Sequence, residues 1–255
     1  MSTPVVIRSC DELAEFHACV TLQREIWGEE PLEVEPATMF VVAANTGGQV
    51  IGAFAGETLV GFVLAVAGVR DGRPYLHSHM AGIAEGYRDQ GLGRKLKLFQ
   101  REEALKRSIT LIEWTFDPLE LRNAHFNLNR LGAICRKYLP NLYGVTTSPL
   151  HRGLRTDRLL AEWHLSELRV VSAVRAVSDE RVTPPTPEPV VRIVVPEEVP
   201  YGVAEEDSGV GVLQDRLRKE FTARFTEGYA ATAVLVGAQP AYLLTKLHAS
   251  MRTTS

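Results

Sequence analysis

Cysteine is scarce in this chain. Cys10, Cys19 and Cys135 are three among 255 residues, an odd count with no metal-ligand spacing. A disulfide framework and a structural zinc site are therefore excluded, and a reducing cytoplasm is the expected setting. Basic excess is missing too: the formal net charge of −3 leaves no electrostatic footprint for nucleic acid. Long apolar runs are absent, the longest, such as Phe62 to Ala67, being strand-sized, so no membrane partner is expected. The N-terminus lacks the basic-then-apolar profile of a signal peptide. No period of roughly 20–50 residues recurs, which excludes a repeat array. What is present is ordinary for a globular protein, 45% hydrophobic and 23% charged residues, enough for one generous core or two modest ones.

Patterning supplies the elements. Val5 to Arg8 reads as a strand, and Ser9-Cys-Asp-Glu12 as a capping box opening a helix with Leu13, Phe16 and Val20 on one stripe, running towards Trp27. Gly28 to Pro36 reads as a loop and Ala37 to Ala44 as a short helical or irregular piece. Gln49 to Ala55 and Thr58 to Val69 are strands joined by Gly56-Glu57. Asp71-Gly72 turns the chain again into Tyr75 to Ile83, the third strand of an antiparallel meander. A helix over Leu92 to Arg107 and a strand over Thr110 to Phe116 follow. Asp117-Pro-Leu-Glu120 reads as a helix start, with Asp as cap and Pro in the first turn. Leu121, Ala124, Leu128, Leu131 and Cys135 form its core stripe, with Asn123, Asn127 and Arg130 beside it. Tyr138 to Gly144 and Asp157 to Leu165 are expected to be extended, Leu168 to Val177 helical.

Thr183-Pro-Pro-Thr-Pro-Glu-Pro189 reads as a stiff linker. Beyond it come a strand over Val190 to Val195, a helix bearing Leu213, Leu217, Phe221 and Phe225 and stopped by Gly228, and a hairpin around Gly237-Ala-Gln-Pro240. The expected organisation is a first domain over 1–168, a helix and linker over 169–189 and a β-α-β-β extension over 190–255. That tail is too small to stand alone; it is expected to dock on the first domain or on a second subunit as a homodimer.

The passage from Ile83 to Leu96 organises the rest. Arg88-x-x-Gly91-x-Gly93 joins a strand to an amphipathic helix, where first-turn N–H groups have no partner inside the helix. Glycine there removes the Cβ atoms that would hold a ligand away, and the helix dipole adds attraction for a pyrophosphate. The spacing is not that of a Walker loop, and Leu96 stands where a dinucleotide fingerprint needs a small residue.

The remaining pattern, Arg/Gln-x-x-Gly-x-Gly/Ala after a strand, resembles the acyl-CoA loop of the GNAT N-acyltransferases. The order of elements over about residues 4 to 166 is similar to that fold: α/β in layers, with a mixed, mostly antiparallel sheet flanked by helices. Trp114-Thr-Phe-Asp-Pro-Leu119, Asn123-Ala124, Asn127-Leu-Asn129, Leu131-Gly132, Tyr143-Gly144, Thr156-Asp-Arg158 and Glu162-Trp163 narrow the likeness. They resemble a subfamily with a C-terminal extension, associated with N-acylation, including N-succinylation, of amino acids and similar small amines.

The resemblance implies an enzyme in which a neutral amine attacks acetyl-CoA or succinyl-CoA directly, with no metal. It assigns the backbone N–H groups of Gln90, Gly91, Leu92, Gly93 and Arg94 to the pyrophosphate and the main-chain groups of Ile83 and Ala84 to the pantetheine arm. Arg88, Arg94 and Lys95 meet CoA phosphates, and Asn123 or Asn127 contacts pantetheine. Trp27, Pro31 and Phe40 border the acceptor. The family's usual acid, a tyrosine on the last helix, aligns with Leu128, leaving Tyr143 or Tyr138 as substitute. Candidate bases are Glu85, His79 and Glu113. An α-amine of pKa about 8 is roughly 10% neutral at pH 7, against about 0.04% for a lysine side chain, so a small-molecule amino acid asks less of its base.

Each residue also has a structural reading. His77 and His79 share a strand face as cleft lining, with no third ligand for a metal. Asp117 reads as a cap, Cys135 as core, Trp114 and Trp163 as core or cleft wall, and Arg101, Lys106 and Arg107 as a solvated helix side. The alternative function is a GNAT-shaped protein that binds CoA or another ligand without catalysis.

Overall fold

A computed structural model describes residues 4–28, 33–144, 154–176, 190–196 and 209–246. Pro31, Val177 and the Pro-rich linker Thr183 to Pro189 lie outside the described residues. The described chain forms two compact units, the first within 1–114 and the second from 115 onwards.

The first unit holds β1 (Val5–Ser9), α1 (Leu13–Trp27), α2 (Ala37–Asn45), β2 (Gln49–Ala55), β3 (Thr58–Arg70), β4 (Arg73–Ile83), α3 (Leu92–Lys106) and the start of β5 (Leu111–Phe116). Its strands lie in the order β1-β2-β3-β4-β5. All neighbours are antiparallel except β4 and β5, which run parallel. Strand alternation sends Phe62 and Leu64 to one face of β3, where they bury against Phe16, Leu22 and Phe40 of α1 and α2. Val63 goes to the other face, with Leu92 and Leu96 of α3. Each such fully buried side chain stabilises the fold by about 1.5–3 kcal/mol. The expected turns at Gly56 and Asp71-Gly72 are present, with left-handed φ of 62° at Gly56, 50° at Asp71 and 71° at Gly72. The cap of α1 differs from expectation. Glu12 is the cap and Glu15 closes the box, its carboxylate accepting the Asp11 and Glu12 N–H groups. Ser9 is spent in β1 instead.

The second unit holds the end of β5, α4 (Leu121–His125), β6 (Ile134–Leu139), β7 (Arg158–His164), α5 (Leu168–Arg175), β8 (Val190–Val194), α6 (Gly209–Thr226), β9 (Tyr229–Leu235) and β10 (Ala241–Lys246). Its strand order is β7-β6-β9-β10-β8, with antiparallel register between β6 and β7, β6 and β9, β9 and β10, and β10 and β8. The C-terminal segment thus lays β9 beside β6, with Ala231 opposite Cys135. Asn129 exchanges two hydrogen bonds with the Val234 backbone, and the Tyr242 hydroxyl donates to Pro118 O at 2.8 Å.

Two expectations are corrected here. Asp117 does not cap a helix: its carboxylate accepts the Leu119 N–H at 2.8 Å and its carbonyl accepts the Glu120 N–H. Asp closes this local turn more readily than it sits in a helical first turn, so α4 begins only at Leu121. The long helical stripe is also broken. α4 passes into a π-helical turn, Phe126–Arg130, which Gly132 ends at φ 77°, and Cys135 lies on β6. Arg169 satisfies the freed carbonyls of Leu128 and Gly132. Tyr138 is strand, but 140–143 turn rather than extend.

Candidate active site

β4 and β5 are paired only at Leu76↔Ile112 and His77↔Glu113. Past His77 the strands part, and β4 continues to Ile83 with its β5-facing edge outside that ladder. On its other edge the register with β3 shifts between Leu64↔Met80 and Ala65↔Ser78, so His79 is an extra, bulged residue. A bulge of this kind twists a strand and re-aims the side chain it inserts. A fork with a free inner edge results, the form into which an extended arm can add as a strand.

The glycine loop closes the far end of that edge. Ala84 donates to Val60 O and accepts from Tyr87 N–H, because the chain has already left the strand for a single 3-10 turn, Glu85–Tyr87. Of the two residues expected to face pantetheine through their main chain, only Ile83 is on β4. Ala84 lies just past the strand end, with both of its main-chain groups engaged. Ile83 O takes the Arg88 Nε–H at 3.2 Å, which folds the Arg88 side chain back against the strand end. Gln90 is tied to Gly86 O. Gly91 caps α3 at φ 73°, and a Cβ there would meet nothing within 4 Å. The first bond of the helix is Lys95 N–H to Gly91 O at 3.1 Å. The N–H groups of Leu92, Gly93 and Arg94 therefore belong to the donor-bearing first turn. Leu92 is buried as the anchor of α3, whereas Lys95 is exposed. A phosphate-bearing group fits this cradle.

At the bulge, His79 Nε2 lies 2.9 Å from Glu35 Oε1. Glu35 belongs to the segment between α1 and α2, and the buried Gln23 of α1 fixes it. The Gln23 amide accepts the Glu35 N–H at 2.9 Å and donates to Glu35 O at 3.1 Å. The His77 and His79 rings are 6.4 Å apart. Burial holds the His77 imidazole below its ordinary pKa, and the nearby His79 acts in the same direction. The other two expected bases are differently placed. Glu113 is buried and bound by Arg70 at 2.6 and 2.9 Å, a structural pair rather than a waiting base. Glu85 is exposed on the 3-10 turn.

Sequence reading missed Lys97. It is 5% exposed, its amine 2.7 Å from Gln100 Oε1, 3.1 Å from Ser78 Oγ and 4.0 Å from the centre of the Trp114 ring. Burial pushes the amine down to about 7. Its neighbour Leu96 shows the buried face of α3, but spacing alone does not separate an inward lysine from a solvated one.

The remaining expected residues lie in the second unit. Asn127 is buried and donates to Asn123 Oδ1 at 3.1 Å; Asn123 is exposed. Leu128 is fully buried, in keeping with its core stripe. The Tyr143 hydroxyl is 2.9 Å from Thr115 Oγ1, and its N–H donates to Thr156 Oγ1. Tyr138 is buried and donates to Asp157 at 2.7 Å; burial first, and that bond beside it, raises it far above an ordinary phenol. Among the described residues, no group of three or more potential metal-ligating side chains gathers, and no helix is long and apolar enough to cross a membrane.

No family model and no curated protein sequence matches the chain. Solved structures do. A putative GNAT-family acetyltransferase from Desulfovibrio desulfuricans is similar at TM-score 0.51 and 14% identity, over 64% of this chain and 100% of its own. The NatC complex bound to Gag peptide and CoA gives TM-score 0.51 and 14% identity over 63% and 98%. Arabidopsis thaliana NAA60 in complex with acetyl-CoA gives TM-score 0.51 and 14% identity over 63% and 99%. At such identities the likeness is one of architecture: the chain has the fold of the GNAT N-acetyltransferases.

Proposed function

We propose that the protein is an acyl-CoA-dependent N-acyltransferase that moves an acetyl or succinyl group to the amine of a small molecule, an amino acid in the first instance, in the cytoplasm. The observation that carries this reading is the forked β4 edge leading to the glycine-capped start of α3. The N–H groups of the loop from Gln90 to Arg94 hold the pyrophosphate, with Arg88, Arg94 and Lys95 as its cations. Ile83 pairs with the pantetheine arm, and Asn123 or Asn127 takes the contact that the resemblance assigns to that helix. His79, oriented by Glu35, takes the proton from the attacking amine. Glu85 is the alternative base, on the open side of the loop. Much of the rate comes from positioning, since a thioester is already reactive. The division of labour proposed is acyl transfer by residues 1–168, with 190–255 as an extension.

One neighbour of the same fold, the NatC complex, is bound to Gag peptide as well as CoA, so peptide amines belong in the test. Thiol release from acetyl-CoA and succinyl-CoA is followed over L- and D-amino acids, polyamines and peptides. Turnover with an amino acid is expected. CoA binding without turnover across that panel selects the non-catalytic alternative.

A further inference from the structure

The last rung between β4 and β5 is His77↔Glu113; the next residues along the two strands are Ser78 and Trp114. Lys97 reaches both of them from α3, through the Ser78 hydroxyl at 3.1 Å and the Trp114 ring at 4.0 Å. Its amine therefore sits where the strands begin to part. Gln100, one helical turn on, accepts from it at 2.7 Å and so fixes where it points. A lysine this deeply buried costs stability, and a site that retains one at a fork calls for a use of the charge.

Length assigns the use. From Ile83, whose side chain lies against Gly93 of the phosphate cradle, to Ser78 is five residues of strand, roughly 16 Å. The pantetheine arm, from phosphate oxygen to sulfur, is an extended chain of about twelve bonds, the reach of about four residues or roughly 14 Å. An arm laid along β4 brings its sulfur to the fork.

Resting on the acyl-CoA reading above, we propose that Lys97 meets the thioester sulfur at the β4–β5 fork and gives it a proton as the thiolate leaves. The acceptor nitrogen forms its bond to the carbonyl carbon, and the carbon–sulfur bond breaks with its electron pair on sulfur. Sulfur takes a proton from the Lys97 ammonium, leaving a neutral amine. The proton released by the acceptor nitrogen goes to His79, and Lys97 is recharged from water after the products leave. An amine held near 7 is present in both forms at neutral pH, as a recycling proton donor must be. The ionisable groups around the fork are His77 on β4, which feels the Lys97 charge, and Glu113 of β5 with its partner Arg70 of β3, which also act on His77. Lys97 takes the role of the tyrosine acid that the resemblance aligns with Leu128.

The test reads the sulfur directly. The thiol of bound CoA is titrated through the ultraviolet absorbance of its thiolate in wild type and Lys97→Met, with CoA affinity measured by calorimetry. The wild-type protein should lower the pKa of the bound thiol by about one unit or more relative to free CoA. Lys97→Met should abolish that shift while changing affinity less than about tenfold, and should lower kcat about 100-fold. Equal thiol acidity in the two proteins overturns the proposal, as does unchanged kcat. Should Lys97→Met fail to fold, Lys97→Gln replaces it, and the wild-type comparison with free CoA decides alone: no shift refutes the contact. Failure of CoA to bind at all removes the acyl-CoA reading and this role together. Binding and turnover with an unshifted thiol remove only the lysine's role.

Discussion

His79 Nε2 and Glu35 Oε1 stand 2.9 Å apart, joining a bulged residue of β4 to the segment that follows α1. The bulge frees His79 from cross-strand pairing, and Gln23 holds the Glu35 backbone from both its N–H and its C=O. A carboxylate on one ring nitrogen fixes the imidazole's orientation and leaves the other nitrogen for a proton in transit. His79→Gln is therefore expected to lower kcat about 100-fold with little change in the KM for acyl-CoA. Glu35→Gln, which keeps a hydrogen bond but loses the charge, should cost about tenfold in kcat. Steady-state kinetics in both substrates checks this; wild-type kcat in His79→Gln removes the dyad as the base.

Tyr143 is expected to matter less. Its hydroxyl is engaged with Thr115 at 2.9 Å, and Lys97 is the proposed proton source for the thiolate. Tyr143→Phe should keep kcat within about threefold of wild type while Lys97→Met does not. A 100-fold loss in Tyr143→Phe alone would restore the tyrosine as the acid.

Asp117 makes a pH prediction with a definite sign. Burial raises its carboxyl to about 6, against the opposing pull of the Leu119 N–H and Arg158. A group that binds its proton more tightly folded than unfolded stabilises the fold at low pH, and that contribution is lost as pH rises from about 4 through 6. Its side chain is 29% exposed, so solvent screening reduces the effect to the order of 1 kcal/mol. Asp117→Asn keeps the acceptor for Leu119 N–H and should raise Tm by about 2–4 °C at pH 8. At pH 4 it should have little effect. Thermal melts at both pH values check this, and equal shifts at both would refute it.

The first unit was legible wherever the signal was local. Gln49–Ala55 is found as a strand with the bounds its pattern indicates, because Gly47-Gly48 and Gly56-Glu57 bracket it. α3 and its glycine cap follow from periodicity and one left-handed residue. Asp117-Pro-Leu-Glu120 misled because an Asp followed by Pro serves an Asx turn as well as a helix cap, and only the next residues decide between them. Glu12 displaced Ser9 as the cap because the first strand runs one residue further than Arg8. Glu35 with His79 and Lys97 with Ser78 join residues 44 and 19 positions apart. No window of sequence contains the packing that brings them together. Lys97 in addition follows Leu96 on a helix where other lysines, Lys95 and Lys106, do face solvent.

Binding of CoA to wild type and to Gly91→Glu, measured by calorimetry and by thermal shift, tests the central claim most directly. Gly91 adopts φ 73° with open space where a side chain would stand, so a glutamate there puts backbone strain and a negative charge at the proposed phosphate cradle. The account predicts saturable CoA binding that raises Tm in wild type and is absent in Gly91→Glu, with the unliganded variant still folded. Equal CoA binding by the two proteins, or none by wild type, would contradict it.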